Sequence, residues 1–311
     1  MKVLLVVILV LLVLVLGISY GLFRFGFYIP KNGHINPHDF NMGGSQYDGL
    51  EEIIDAKIVE MEAEPWENVE ITSYDGLKLK GYLLINDVNK PFMLFMHGYH
   101  GCWQWDGYGT YRIAKDKGYN LLMVDERAHG KSDGTVTCFA KKEQYDCLKW
   151  VDFLRDRFGY DQKLIISGVS MGCSIVLMAA AKASKGKVDG IIADCGFASA
   201  PAMIKKACRD MKLPEKIFVP LAYLGGKIYG NLTVTGETVE DCVKQIDVPV
   251  IFIHGTSDSI VPFENLDILY NACGSKDKIR LVVEGSDHAV CAVYNYEAYK
   301  AGIEELLAKV L

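Results

Sequence analysis

Three absences in the sequence narrow the kinds of protein it can encode. The chain has 9 cysteines but no CxxC pair, and Cys173, Cys195 and Cys291 lie in apolar stretches. We therefore expect small buried hydrophobic residues rather than disulfides or metal ligands. Lysines and arginines form no basic stripe and the formal net charge is -6, so nucleic acid is not an expected partner. The absence of an internal repeat argues against a repeat architecture.

The N-terminal stretch lacks charge altogether. Val3 to Phe23 is apolar, and a helix of about 20 such residues crosses the hydrocarbon core of a bilayer. A cleaved secretory signal is the alternative, because Lys2 is a short basic region and Gly17 and Ser19 suit a cleavage site. The length of the run and the aromatic residues of YGLFRFGFYIP favour a single-pass anchor. Basic residues on both sides leave the membrane face undetermined.

The rest of the chain predicts an α/β protein. We divide it into an anchor at 1–23, a linker at 24–66 and one domain at 67–311. Within the linker, GLEEIIDAKIVEME predicts a short helix, and ENVEITSYDGLKLKGYLLI then predicts a hairpin. Alternating strands and helices follow, which indicates a mainly parallel sheet with helices on both faces. Residues 197–244 are long for a connection, and we expect a helical lid over the carboxyl edge of the sheet.

Individual elements follow from the apolar patterns. We expect strands at 92–98, 120–127, 163–168, 188–195, 248–255 and 278–285, and helices at 110–118, 139–159 and 289–310.

A serine lies at one strand-to-helix junction. In KLIISGVSMGCSIVLMAAA, Gly168 and Gly172 flank Ser170 in a G-x-S-x-G pattern between a strand and a helix, the context of a nucleophile elbow. A side chain at either glycine would collide with the neighbouring elements of so sharp a turn. We therefore interpret Ser170 as a nucleophile. A carboxylate would be needed there for dehalogenase chemistry, which disfavours that reaction.

A serine hydroxyl needs a base and an acid to become nucleophilic. His288, in the loop after the last strand, is the candidate base, whereas the contexts of His97, His129 and His254 favour structural roles. His34 and His38 lie outside the domain. Asp258, in HGTSDSIVP, is the candidate acid and Asp194 the alternative. Asp287 adjoins the base, and a neighbouring residue is badly placed to bond the ring.

Further residues follow the first strand of the alternating region. The backbone N–H groups of Tyr99 and Met171 are candidates for an oxyanion hole. His100 is placed to contact substrate. Trp103, with Trp105 and Tyr108, is a candidate wall for an apolar acyl pocket, although packing is an equal alternative.

From about Val69 onward the chain resembles the α/β-hydrolase superfamily. The similarity lies in MHGYHG, VDERAHGKSDG, GVSMGCS, HGTSDSIVP and GSDHA. It is most similar to bacterial serine hydrolases grouped with monoacylglycerol lipases and serine aminopeptidases. The resemblance implies a triad of Ser170, Asp258 and His288, with Tyr99 and Met171 as oxyanion donors. It also implies that DERAHGKSDG forms a structural loop beside the site.

These residues predict a membrane-tethered serine hydrolase that cleaves carboxylic esters through an acyl-enzyme. Such chemistry requires no metal or organic cofactor, and the expected partners are a small ester with an apolar acyl group and the membrane. A thioesterase or peptidase with the same triad is an alternative, because the sequence does not show whether the leaving group is an alcohol, a thiol or an amine. A non-catalytic binding protein on a hydrolase fold is a third possibility, and the complete triad argues against it.

Overall fold

The computed structural model describes residues 1–31, 35–39 and 45–311. Its centre is an eight-stranded sheet in the order β1-β2-β4-β3-β5-β6-β7-β8. The strands are β1 (Glu67–Thr72), β2 (Lys78–Leu84), β3 (Phe92–Met96), β4 (Asn120–Val124), β5 (Leu164–Val169), β6 (Gly190–Asp194), β7 (Val250–Gly255) and β8 (Lys278–Val283). The predicted hairpin of β1 and β2 joins β4 antiparallel, and the remaining neighbours pair in parallel.

Helices cover both faces of the sheet. They are α1 (Lys2–Gly26), α2 (Glu51–Glu62), α3 (Trp103–Asp106), α4 (Tyr108–Lys117), α5 (Glu143–Phe158), α6 (Met171–Ala180), α7 (Ala200–Asp210), α8 (Glu215–Gly230), α9 (Val239–Val243), α10 (Glu264–Ala272), α11 (Cys291–Tyr294) and α12 (Tyr296–Val310). Successive side chains of β3 point to opposite faces of the sheet. Leu94 and Met96 pack with α5 and α6 on one face, and Met93 and Phe95 pack with α4 and α12 on the other. Burial on both faces explains why FMLFM is continuously apolar.

The structure confirms the predicted strands and refines two helices. The long helix begins at Glu143, a few residues later than expected. The predicted closing helix is interrupted at Asn295, whose side-chain oxygen accepts a hydrogen bond from the Ala298 amide and caps α12. The linker helix is present as α2. All nine cysteines are free and buried, as expected of small hydrophobic residues.

The long interval after β6 has two parts. Helices α7 and α8 lie in a separate apolar cluster around Ile204, Val219 and Ala222. Helix α9 instead packs into the main core through Val239, Cys242 and Val243. Within the predicted lid, the α7–α8 pair therefore has its own apolar cluster, whereas the last part of the interval belongs to the body of the domain.

Helix α1 is long and apolar enough to cross a membrane, with a mean hydropathy of 3.2 over its most apolar window and only 6% of that window buried. Its last turns pack on the α7–α8 pair, where Phe23 is buried. Backbone hydrogen bonds from Ile29 to Thr135 and from Thr137 to Phe27 then fasten the following segment to the domain. The end of α1 is thus part of the folded domain, while its first turns are exposed.

Candidate functional site

Ser170 lies at the sharp turn between β5 and α6. Its φ of 57° and ψ of -116° are unusual for a residue with a side chain. The Ser170 amide donates to the Asp194 carbonyl at 2.9 Å, which holds the turn against the end of β6. Such strain at a polar residue is typical of functional positions.

The flanking glycines are required by close backbone approaches. A Cβ at Gly168 would lie 2.2 Å from the Gly172 carbonyl oxygen, and one at Gly172 would lie 2.1 Å from the Met96 carbonyl oxygen. Both distances are far inside van der Waals contact, and the opposing atoms belong to the backbone. A side chain at either position would therefore collide with the backbone, as the sequence pattern predicts.

His288 and Asp258 lie in line with Ser170. The Ser170 hydroxyl oxygen is 2.8 Å from His288 Nε2, and His288 Nδ1 is 2.7 Å from Asp258 Oδ2. The three residues come from the ends of β5, β7 and β8, which meet at the carboxyl edge of the sheet. The structure thus brings together the three residues singled out in the sequence.

The Asp258 carboxylate is held from several directions. Its Oδ1 accepts from the amides of Ile260 at 3.0 Å and Val261 at 2.7 Å, while His254 Nε2 lies 3.0 Å from Oδ2. Burial alone would raise the pKa of Asp258, but hydrogen bonds from His254 and His288 outweigh it and hold the pKa below its usual range. Asp258 is therefore an ionised and oriented partner for the His288 ring.

His254 makes a second histidine contact with Asp258, which the sequence analysis did not predict. Its Nε2 also lies 3.0 Å from the Val261 carbonyl oxygen, in agreement with the structural role expected for it. The additional approach to Asp258 comes from the residue four positions earlier in the same segment. The close spacing of these two residues in HGTSDSIVP was the available signal.

Neither of the other two aspartates takes the place of Asp258. Asp194 is buried and its Oδ1 has no hydrogen-bond partner among the described residues. Burial raises the pKa of Asp194 to about 7 despite the opposing charges of His254 and His288. Asp287 accepts hydrogen bonds from the amide and the hydroxyl of Ser259, both at 2.9 Å. Asp287 thus joins two loops instead of orienting the His288 ring.

The candidate oxyanion donors flank the serine. A Cβ on Gly98 would lie 3.4 Å from Ser170 Cβ, so the loop that carries Tyr99 runs directly against the elbow. The Tyr99 and Met171 amides donate to no acceptor among the described residues. Met171 is also the first residue of α6, where the helix dipole is positive. Within the described part of the chain, neither amide is therefore occupied by another group.

Asp106 supports this loop, and nothing in the sequence singled it out. Its Oδ2 accepts from the Gly98 amide at 2.7 Å. Burial raises the pKa of Asp106 to about 6, against the lowering effects of the Gly98 hydrogen bond and of His288. The contact fixes the start of the loop on which Tyr99 lies.

The remaining histidines are used in backbone hydrogen bonds or lie away from the serine. His97 Nδ1 contacts the Gly98 carbonyl oxygen, and its Nε2 accepts from the Glu126 amide. His129 Nδ1 contacts the Arg127 carbonyl oxygen, and its Nε2 accepts from the His100 amide. The structural roles expected for His97 and His129 are present. His38 is paired with Asp55 at the surface, and His34 lies outside the described residues.

Two groups of described side chains have the composition of a metal site. One consists of Cys195 with the candidate acid and base, and both ring nitrogens of that base are already within hydrogen-bond distance of Asp258 and Ser170. The other group lies beside the loop that follows β3. Ligand atoms of His97, Glu126 and His129 lie within 4.8 Å of one another. However, both nitrogens of each ring already contact backbone groups, so neither ring has a lone pair directed at a cation. These residues therefore do not fit a metal ion in this arrangement.

An apolar cavity of about 440 Å³ opens at Ser170 and Met171. Tyr99 and His100 lie in its wall, so His100 is where a substrate contact was expected. Most of the other lining residues are apolar, and they include Leu22 and Phe25 of α1, Phe139, Met203 and Ile204 of α7, Ala222 of α8 and Ile260. The charged residues Lys206 and Asp210 of α7 also border the cavity. The volume is within the range of ordinary ligand pockets, about 300–1,000 Å³.

Trp103 does not join this cavity. Its ring packs between Trp66 and Tyr82, with centroid distances of 5.2 and 5.0 Å, and it borders a different cavity of about 460 Å³ that lacks Ser170. Trp103 is therefore a packing residue and does not form a wall of the cavity at Ser170. Trp105, by contrast, borders a smaller cavity of about 190 Å³ together with Ser170 and His288.

Comparisons with known proteins agree with this architecture. The alpha/beta hydrolase fold family model matches residues 91–218. The uncharacterized protein YqkD of Bacillus subtilis (strain 168) is 28% identical over 193 residues, which make up 62% of this chain and 63% of YqkD. The chain thus spans slightly less than two thirds of that relative.

Solved structures are similar over more of the chain. The Pyrococcus furiosus esterase Pf2001 has a TM-score of 0.66 at 23% identity, covering 81% of this chain and 93% of the esterase. Est1E from Butyrivibrio proteoclasticus, solved with bound ferulic acid, has a TM-score of 0.58 at 22% identity, covering 78% and 100% of the two chains. At these identities the likeness shows a shared fold.

Proposed function

Because the chain is an α/β-hydrolase fold protein with esterases among its structural neighbours, we propose that it is a membrane-tethered serine hydrolase acting on carboxylic esters. The observation that carries the proposal is the hydrogen-bonded line from Ser170 through His288 to Asp258, with distances of 2.8 and 2.7 Å. The line matches the roles of nucleophile, base and orienting acid.

The first half of the reaction forms an acyl-enzyme. Ser170 Oγ attacks the ester carbonyl carbon while His288 Nε2 takes the hydroxyl proton, which activates an otherwise weak nucleophile. The ionised Asp258 accepts a hydrogen bond from Nδ1–H, which fixes the tautomer and stabilises the imidazolium. The negative oxygen of the tetrahedral intermediate is held by the Tyr99 and Met171 amides. The His288 proton then passes to the departing alcohol.

The second half repeats these steps with water. His288 takes a proton from the water molecule, the resulting hydroxide attacks the acyl carbon, and the proton returns to Ser170 as the acid leaves. The chain's own side chains and amides supply every group that these steps need. The apolar wall beside Ser170 favours an acyl group over a charged one.

The proposal is tested by replacing the nucleophile. Ser170→Ala should fold normally and lower kcat on p-nitrophenyl esters by roughly 10⁴ or more, the scale of removing a triad member. Parallel assays with thioester and aminoacyl substrates distinguish esterase from thioesterase or peptidase. A folded Ser170→Ala variant that keeps most of its ester activity contradicts the proposal.

A further inference from the structure

The end of α1 forms part of the wall around the candidate nucleophile. Leu22, Phe25 and Gly26 line the same apolar cavity as Ser170. The Tyr99 hydroxyl also donates to the Gly26 carbonyl oxygen at 3.2 Å. This hydrogen bond joins the loop after β3, which carries the candidate oxyanion donor Tyr99, to the last turn of α1. A simple tether would need none of these contacts. The helix therefore completes the cavity as well as carrying the domain.

Helix α1 is also packed tightly against α8. A Cβ on Gly225 would lie 2.1 Å from the Ser19 carbonyl oxygen, so the two helix backbones touch at this point. One turn further along α8, the Tyr229 hydroxyl donates to the Leu16 carbonyl oxygen at 3.2 Å, and the Tyr229 ring meets the Tyr20 ring edge-on. Contacts of this kind, with glycine at the crossing, are typical of helices that pack within a membrane.

The position of these contacts along α1 gives their depth. A spanning helix needs about 20 residues, and counted from Val3 these end near Leu22. Leu16 then lies about 9 Å inside the hydrocarbon, at 1.5 Å of rise per residue. The Tyr229 hydroxyl reaches this level because it bonds the Leu16 carbonyl, while the Tyr229 ring lies beside the Tyr20 ring with 5.1 Å between the centroids. Ile228, the neighbour of Tyr229, is 50% exposed on the surface of the domain, although it is strongly apolar. Tyr229 is 37% exposed beside it, and the exposed Lys227 of the same turn has a side chain long enough to reach the headgroups. The last turn of α8 therefore combines exposed apolar side chains with a cation, as at a membrane interface.

We propose that the end of α8 is embedded beside the spanning helix α1 in the leaflet nearest the domain, and that the acyl chain of a membrane lipid ester passes from that leaflet past Leu22 and Phe25 to Ser170. The path keeps the acyl chain out of water, which removes the cost of exposing it. The chemistry of ester cleavage rests on the proposed function, whereas the lipid path concerns only how the substrate arrives. A water-filled entrance that serves small soluble esters is the competing arrangement.

The depth of α8 is measured in vesicles. Full-length Ile228→Cys protein, labelled with an NBD maleimide, is reconstituted with lipids that carry a nitroxide near the headgroup end of the acyl chain. The nine native cysteines are buried and should react little. The matched control is Val88→Cys, which is 50% exposed on the hairpin side of the domain. We expect strong quenching at position 228 and little at position 88. Equal quenching at the two positions overturns the embedded arrangement of α8.

The substrate path is tested by separating the two helices. Gly225→Leu places a side chain where only 2.1 Å is free, whereas the matched control Gly21→Leu on α1 meets nothing within 4 Å. The readout is the rate on a long-chain monoacylglycerol in vesicles divided by the rate on p-nitrophenyl acetate in solution. We expect Gly225→Leu to lower this ratio roughly tenfold or more, the scale on which apolar pockets discriminate, and Gly21→Leu to leave it unchanged.

The result separates this inference from the proposed function. Hydrolysis of the acetate ester and labelling of Ser170 by a phosphonate report on the chemistry, and the ratio reports on the path. An unchanged ratio in a folded Gly225→Leu protein overturns the lipid path even if both enzymatic activities are high. Wild-type protein that cleaves the acetate ester but leaves the vesicle lipid intact overturns it as well.

Discussion

At the residue scale, Asp258 and Asp194 show how two neighbouring carboxyl groups are given different states. Asp258 is surrounded by donors, the amides of Ile260 and Val261 and two histidine rings, and its pKa is held below its usual range. Asp194 is buried with one oxygen unpartnered among the described residues, and burial raises its pKa to about 7. Asp258 is therefore the carboxyl group that stays ionised beside the His288 ring, whereas Asp194 holds its proton up to about neutral pH.

The activity of two asparagine variants should reflect this difference. Asp258→Asn leaves Ser170 in place but presents an amide to His288, and we expect kcat to fall by about 10⁴, as when the wrong histidine tautomer is held. Asp194→Asn should cost far less, because Asp194 forms no hydrogen bond with the His288 ring. Ester hydrolysis by both purified variants checks this. A larger loss in Asp194→Asn would mean that the acid belongs to β6.

The same carboxyl group predicts a pH effect on stability. An unfolded aspartate titrates near pH 4, whereas the pKa of folded Asp194 is raised to about 7. The folded state therefore holds this proton more tightly, so its contribution to stability is present below pH 4 and lost as the pH rises through 7. Urea unfolding of wild-type protein and Asp194→Asn between pH 5 and 8 should show a flatter profile for the variant. Parallel profiles would contradict the raised pKa.

At the element scale, the elbow between β5 and α6 depends on backbone contact. Gly172→Ala would place a methyl group 2.1 Å from the Met96 carbonyl oxygen, and backbone atoms of β3 cannot yield as a side chain can. We expect unfolding free energy to fall by about 1–3 kcal/mol, the usual cost of overpacking. Gly226→Ala is the control, since its nearest atoms are 3.7 Å away. Thermal unfolding that is unchanged in Gly172→Ala would show that the turn relaxes.

Sequence patterns predict a site residue well when the pattern lies in the residue's own stretch of the chain, such as an apolar strand just before it. Ser170, Asp258 and His288 each follow an apolar strand, and parallel strands bring their carboxyl ends to one edge. His254 and Asp106 were missed because their partners, Asp258 and Gly98, are identified only once the loops are folded. Trp103 was an open alternative because an aromatic residue packs and lines pockets equally well.

At the scale of the whole molecule, the contact between α1 and α8 joins segments far apart in the chain. Neither Ser19 nor Gly225 lies in a recognisable sequence motif. The sequence therefore does not show that the end of the apolar helix α1 packs against α8. Apolar periodicity predicts which residues are buried or exposed, but it does not identify their partners. The pairing also bears on whether α1 remains attached.

Retention of α1 is expected from the same contacts. Cleavage near Gly17 or Ser19 would remove the Leu16 carbonyl bonded by Tyr229 and free the N-terminal part of the α1–α8 contact. Intact-mass analysis of protein extracted from membranes should therefore find the first 23 residues still present. A mature mass that lacks them, in a fully active membrane-free protein, would establish the signal-peptide alternative instead.

Ser170 is expected to react as a nucleophile because His288 activates it. Purified full-length protein is treated with a fluorophosphonate, digested, and mapped by mass spectrometry. We predict one adduct on the Ser170 hydroxyl, no adduct in Ser170→Ala, and much slower labelling of His288→Ala, because the hydroxyl would lose the base that lies 2.8 Å away. Folded protein that gains no adduct, or an adduct that persists in Ser170→Ala, would contradict the role of Ser170 as the nucleophile.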